Sequence, residues 1–146
     1  MQIRFPLILD GATGTELQKR GYKGDVSAEQ WVLEHPESII DVQTGYVAAG
    51  SQVLYAPSFG ANRRKLEEHG IFNKTADYNR RLAELSKKAA SGKAFVAGDI
   101  SPTGMFLSPL GEASFEELVD IYTERAAFSG CAGAAFRASH WSCSSR

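Results

Sequence analysis

At 146 residues, 43% hydrophobic and 23% charged, the sequence has the size and composition of one globular domain. A formal net charge of -1 and no long basic run remove the electrostatic case for nucleic acid or an anionic membrane as partner, leaving small neutral or zwitterionic ligands open. The apolar stretches are short, and Arg4, Lys19, Arg20 and Lys23 interrupt the start, so neither a signal peptide nor a membrane span is expected and a cytoplasmic location is the default.

Phe5 to Leu9 is a short apolar run ending at Asp10-Gly11, which predicts a buried strand feeding a glycine-bearing turn. Thr13 to Arg20 suits a short helix. Ser27, with Gln30 three residues later, caps a second short helix through Trp31, Val32 and Leu33. Pro36 sits well in the first turn of a longer helix, where Ile39, Ile40, Val42, Gln43, Tyr46, Val47 and Ala49 form a stripe at helical spacing that Gly50 ends. Gln52 to Ala56 predicts the second strand, stopped by Pro57-Ser58-Phe59-Gly60.

Asn62 to His69 reads as a charged helix closed by Gly70. Thr75 to Ala90 predicts another, with Tyr78, Leu82, Leu85 and Ala89 on one face and a basic last turn that suits the helix dipole. Lys93 to Ala97 is the third expected strand, broken by Gly98-Asp99 and the loop Ser101-Pro102-Thr103-Gly104. Ser114 then caps a helix expected to run to about Arg125, with Glu117 in the capping-box position. From Ala126 to Arg146 the texture changes: the stretch is rich in alanine and serine, lacks acidic residues and has no helical or alternating period. It is expected to be an irregular tail, either disordered or translated out of frame.

Strands alternating with helices predict an α/β fold with a parallel sheet built by right-handed crossovers. Ligands of such folds lie at the C-terminal strand ends, which here carry Asp10, Gly11 and Ala12, then Ser58 and Phe59, then Gly98 and Asp99. Asp10 can accept a charge-assisted hydrogen bond from a ligand ammonium, or cap the helix that follows. Ser58 can bind a ligand or satisfy its own turn, and Gly98 and Asp99 carry the same ambiguity. Gly11 to Gly14 invites a phosphate-loop reading, but without the full Gly-x-Gly-x-x-Gly spacing or a Gly-Lys-Ser/Thr ending it supports a nucleotide-binding domain only weakly. Cys131 and Cys143 do not form a disulfide framework, and with His140 they lack the paired close spacing of a structural zinc site. His35 and His69 fall at helix C-terminal ends and receive no role.

Leu9-Asp10-Gly11-Ala12-Thr13-Gly14-Thr15-Glu16-Leu17 resembles the opening signature of the homocysteine S-methyltransferase family. His35-Pro36-Glu37, Tyr46 to Leu54, Ser58-Phe59-Gly60-Ala61-Asn62 and Gly98 to Gly104 resemble later motifs in the family's order, with Glu117-Leu118 and Tyr122 matching its next helix. The resemblance covers about residues 7 to 125.

It implies the first three βα units of a TIM (β/α)8 barrel over residues 1–125, with the anomalous segment 126–146, read from its composition, left outside the resemblance. It further implies methyl transfer to homocysteine, giving methionine, with zinc held by three cysteines. Coordination converts a thiol of pKa ~8.5 into a nucleophilic thiolate. Asp10 and the adjoining turn would bind the amino-acid end of homocysteine, with the loops at Ser58 and Gly98 walling the pocket.

The departures are specific. The family's zinc cysteines lie on later strands, so no metal ligand is assigned and Cys131 and Cys143 cannot be carried over. Ala56-Pro57-Ser58 replaces the family's Thr-Asn-Thr, and the acidic residue after the fourth strand is missing. The chain is thus expected to be a truncated, inactive methyltransferase; the alternative is a non-catalytic amino-acid-binding or assembly fragment that self-associates through open sheet edges.

Overall fold

A computed structural model describes residues 5–131 and 135–138. Helices α1 (Thr13–Lys19), α2 (Ala28–Glu34) and α3 (Pro36–Ala48) precede strand β1 (Val53–Tyr55). Then follow α4 (Arg63–Glu68), α5 (Thr75–Ala90), β2 (Phe95–Ile100), α6 (Phe115–Cys131) and β3 (Ala135–Ala138). The sheet is parallel in the order β1-β2-β3, with Leu54 opposite Val96 and Gly98 opposite Phe136. The expected α/β class and parallel sheet are observed.

Local chemistry explains the helix limits. Ser27 Oγ accepts the Gln30 amide at 3.1 Å, Asn62 Oδ1 accepts that of Lys65 at 2.9 Å, and Ser114 Oγ accepts that of Glu117 at 3.0 Å, each satisfying an orphan donor of a first turn. Gly50 and Gly70 follow α3 and α4 at φ +104° and +73°, a left-handed conformation that side chains with a Cβ resist.

The core has two parts. Leu17, Trp31, Val32, Ile39, Leu66, Tyr78 and Leu82 form the first, where α1 to α5 meet. The second joins sheet to helix: Leu54 and Val96 pack on Ala83, Ala89 and Ala90 of α5, whose small side chains let the helix lie close to the strands. Helix α5 packs against α2, α3, α6 and both β1 and β2, so it is the central support of the strand ends.

Three expectations are corrected. Residues 5–9 do not form a full strand; only Leu9 bridges, in parallel, to Val53, although the Gln52 amide also donates to the Ile8 carbonyl at 2.8 Å. The neighbouring bonds come partly from side chains, since the Ile8 amide donates to Gln52 Oε1 and Ser51 Oγ donates to the Leu9 carbonyl.

The third expected strand is displaced forward to Phe95–Ile100, so Gly98 and Asp99 lie within it and do not break it. Pairing with β3 explains the shift, because its register runs from Ala97 to Ile100.

The expected irregular tail is regular where it is described: α6 continues through Cys131 and Ala135–Ala138 pairs with β2. Alanine propagates a helix well, and the unpaired edge of β2 supplies the hydrogen-bond partner that a weakly patterned strand needs. His140 and Cys143 lie outside the described residues.

Candidate functional site

Asp10 stands just beyond the Leu9 bridge, its amide donating to the Val53 carbonyl at 3.0 Å. Its carboxylate Oδ2 accepts the Tyr55 amide at 3.0 Å. Asp10 therefore does not cap α1, whose N-cap is Ala12 with no side-chain bond. Burial pushes the Asp10 carboxyl up to about 6 against the opposing effect of its backbone hydrogen bonds, and the charge of Asp99 adds to the rise. Two carboxylates thus share one region at the strand ends, with Asp99 half-buried on β2.

The turn after Asp10 is shaped by Tyr46 of α3. Its hydroxyl donates to the Ala12 carbonyl at 2.9 Å, and its ring occupies the space into which a Cβ on Gly11 would project. Gly11 and Ala12 are themselves exposed.

Ser58 is buried, and its hydroxyl donates to the Asp99 carbonyl at 3.4 Å while its amide donates to Ala56. Its side chain is therefore engaged with the neighbouring strand. Phe59 is half exposed, with Lys65 Nζ 5.0 Å from its ring centre. Gly98 is buried inside β2. The strand ends accordingly bring together Asp10, Ser58 and Asp99, whereas Gly11, Ala12 and Phe59 lie at the exposed margin.

Residues without a sequence assignment hold this arrangement. The Glu29 carboxylate on α2 accepts the Gly60 amide at 2.5 Å. Arg125 of α6 donates to the Ser58 carbonyl at 2.8 Å, to that of Phe59 at 3.3 Å and to that of Asp99. Ser101 Oγ donates to the Phe59 carbonyl. Arg125 had a legible signal: it falls one helical turn after Ile121 on the buried stripe of α6, where a charge requires partners. Glu29 had none, because a capped first turn is an ordinary place for an acid.

An open cleft of about 470 Å³ lies to one side, lined by Arg64, Glu68, Thr103, Met105, Phe106 and Glu117 among others. It does not include Asp10, Ser58 or Asp99.

Among the described residues no group of three or more histidine, cysteine, aspartate or glutamate side chains could hold a metal ion. The described residues thus do not supply the three-cysteine zinc set implied by the resemblance. No described helix is long and apolar enough to cross a membrane.

The sequence model for homocysteine S-methyltransferase matches residues 7–138. The chain belongs to the homocysteine S-methyltransferase family. This family member is 32% identical over 132 residues to betaine–homocysteine S-methyltransferase 1 of Danio rerio, covering 82% of the chain and 32% of that protein. It is 31% identical over 114 residues to S-methylmethionine–homocysteine S-methyltransferase BHMT2 of Pongo abelii, covering 77% of the chain and 30% of that protein.

The solved metallated form of the homocysteine methyltransferase MmuM from Escherichia coli superposes with a TM-score of 0.78 at 27% identity, over 90% of this chain and 52% of that one. The family member therefore spans about a third of these curated relatives and about half of the solved neighbour.

Proposed function

We propose that these residues form the amino-acid-binding part of a homocysteine S-methyltransferase barrel, in which Asp10 and Asp99 receive the ammonium of homocysteine beside Ser58 and Phe59. The observation that carries this reading is the paired carboxylates. A cation placed between them relieves their mutual repulsion and keeps the half-buried Asp10 ionised. Gly11 and Ala12 border the site, and Gly98 keeps the strand floor free of a side chain. The family reaction would pass a methyl group from a donor to the homocysteine thiol and release methionine, in the cytoplasm.

We further propose that the 146-residue chain binds without turnover. Its match to only 52% of MmuM and the absence of a thiolate ligand set among the described residues support this. Calorimetric titration with L-homocysteine, beside 4-mercaptobutanoate as the analogue without an amine, tests the site. Binding of homocysteine alone, weakened in Asp10→Asn, is the expected result. Equal binding of the analogue, or no binding of either, would overturn it. Methionine formed by the isolated chain from homocysteine and betaine or S-methylmethionine would sink the proposal of inactivity.

A second reading, self-association or docking of another half-barrel, is favoured by the exposure of Phe5, Ile8 and Leu9 at 84%, 57% and 41% along the first edge. Sedimentation of a concentration series tests it, and a monomer throughout would exclude self-association.

A further inference from the structure

We propose that Glu29 and Arg125 are positioning residues that clamp the Ser58-Phe59-Gly60 turn from two sides and hold it against Asp99; as a statement about the amino-acid site it rests on the reading above. The two side chains come from helices far apart in sequence, and both are buried, with 5% and 1% of their surface exposed. Glu29 takes the turn's amide face at Gly60. Arg125 takes its carbonyl face at Ser58 and Phe59 and reaches across to the Asp99 carbonyl on the next strand. One guanidinium thus bridges the ends of two strands, and its rigid fork of donors fixes their separation in a way that a point ammonium does not.

The turn is shaped for this contact, since a Cβ added at Gly60 would lie 2.8 Å from Glu29 Oε1. The clamp is also charge-balanced. Desolvation on burial weakens the hold of Arg125 on its proton, and Asp99 and Glu29 are the leading charges that oppose that effect. Burying two charged side chains is a poor source of net stability compared with apolar packing, so their contribution here is the placement of polar groups.

The test uses the whole chain and five variants: Glu29→Gln, Glu29→Leu, Arg125→Lys, Arg125→Met and Gly60→Ala. Amide hydrogen exchange is read at Gly60, which donates to Glu29, and at Ala61, which donates to the same Ser58 carbonyl that Arg125 holds. Exchange at Gly60 in Glu29→Leu and at Ala61 in Arg125→Met should rise about ten-fold while the buried Leu82 amide stays constant, because local opening is decoupled from global unfolding.

Glu29→Gln, which keeps an acceptor oxygen, should restore most of the protection at Gly60. Arg125→Lys should restore less, and Gly60→Ala should resemble Glu29→Leu. Affinity for L-homocysteine should fall about ten-fold in Glu29→Leu and Arg125→Met, as expected when a charge-assisted contact is misplaced.

Unchanged exchange at Gly60 and Ala61, or a rise in step with Leu82, would overturn the clamp. So would altered exchange with homocysteine affinity intact. Failure of the wild-type chain to bind homocysteine would instead sink the amino-acid reading, and the exchange data would still decide whether Glu29 and Arg125 fix the turn.

Discussion

The carboxylate of Asp10 accepts the amide of Tyr55 at 3.0 Å, tying the segment before α1 to strand β1 through a side chain whose charge is opposed by burial and by Asp99. The direction of its pH dependence follows. The folded chain holds the Asp10 proton up to about 6, above the ordinary 3.8, so between these values the native state binds more protons than the unfolded one and stability contributed by Asp10 falls as pH rises. Asp10→Asn keeps an acceptor for Tyr55 and cannot ionise. Thermal midpoints of the variant and wild type should agree near pH 4, with the variant higher above pH 6. A variant less stable at pH 7.5 would contradict this assignment. Homocysteine binding should show the opposite trend, strengthening as Asp10 ionises.

Gly11 and Tyr46 make a second test. Gly11→Ala places a methyl group against the Tyr46 ring, with 2.8 Å to its nearest carbons, and overpacking of this kind costs about 1–3 kcal/mol. Tyr46→Phe keeps the ring and removes the hydroxyl bond to Ala12, so it should cost about 1 kcal/mol or less at this exposed position. Denaturant titration of both, with Tyr46→Ala and the double variant Gly11→Ala/Tyr46→Ala, checks the contact. Rescue in the double variant is expected, and additive losses would show that the two sites do not touch.

Asn79 joins α5 to the turn before α4 by donating its side-chain amide to the Ala61 carbonyl, and to that of Thr75 in its own helix, each at 2.7 Å. Asn79→Leu removes both donors and leaves the Ala61 carbonyl without that partner, a loss of about 1–3 kcal/mol. Asn79→Asp should be worse at neutral pH than below pH 4, because an ionised carboxylate would face two carbonyl oxygens. Equal stability of the two variants at both pH values would refute this account.

The core and the helix surface should respond very differently. Leu82 is fully buried where α5 meets the other helices, and Leu82→Ala should cost about 2–5 kcal/mol. Arg80 pairs with Asp77 and Glu84 on the exposed face of the same helix, and Arg80→Ala should leave the thermal midpoint nearly unchanged, as should raised salt. A large salt-dependent drop for Arg80→Ala would mean that the surface pairs carry stability.

Helices were the most legible part of the sequence, because their signals are local. The span Thr75–Ala90 coincides with α5, and Ser27 and Ser114 each cap the turn that follows them, as expected. Strand limits were less legible because pairing decides them: nothing within Lys93 to Ala97 reveals that β3 would extend its partner to Ile100. The same logic hid β3, whose four residues carry no alternating pattern of their own.

Asp10, Ser58 and Asp99 were singled out from their places near expected strand ends; Ser58 bonds to the Asp99 carbonyl, and the charge of Asp99 is felt at Asp10. Their roles toward a ligand were inferred from the family resemblance. Glu29 was invisible because its partner, Gly60, lies 31 residues away and offers only a backbone amide.

Each strand of the sheet lies beside the one before it in the chain: Leu9 bridges to β1, β1 pairs with β2, and β2 with β3. During synthesis every new strand therefore meets an edge that has already emerged from the ribosome, and no strand has to insert between two that are already joined. Assembly can proceed vectorially, with loop-closure costs confined to one βα unit at a time. The newest edge is also the one left bare at each stage, so a ribosome stalled between units would display a ready template for pairing with another nascent chain.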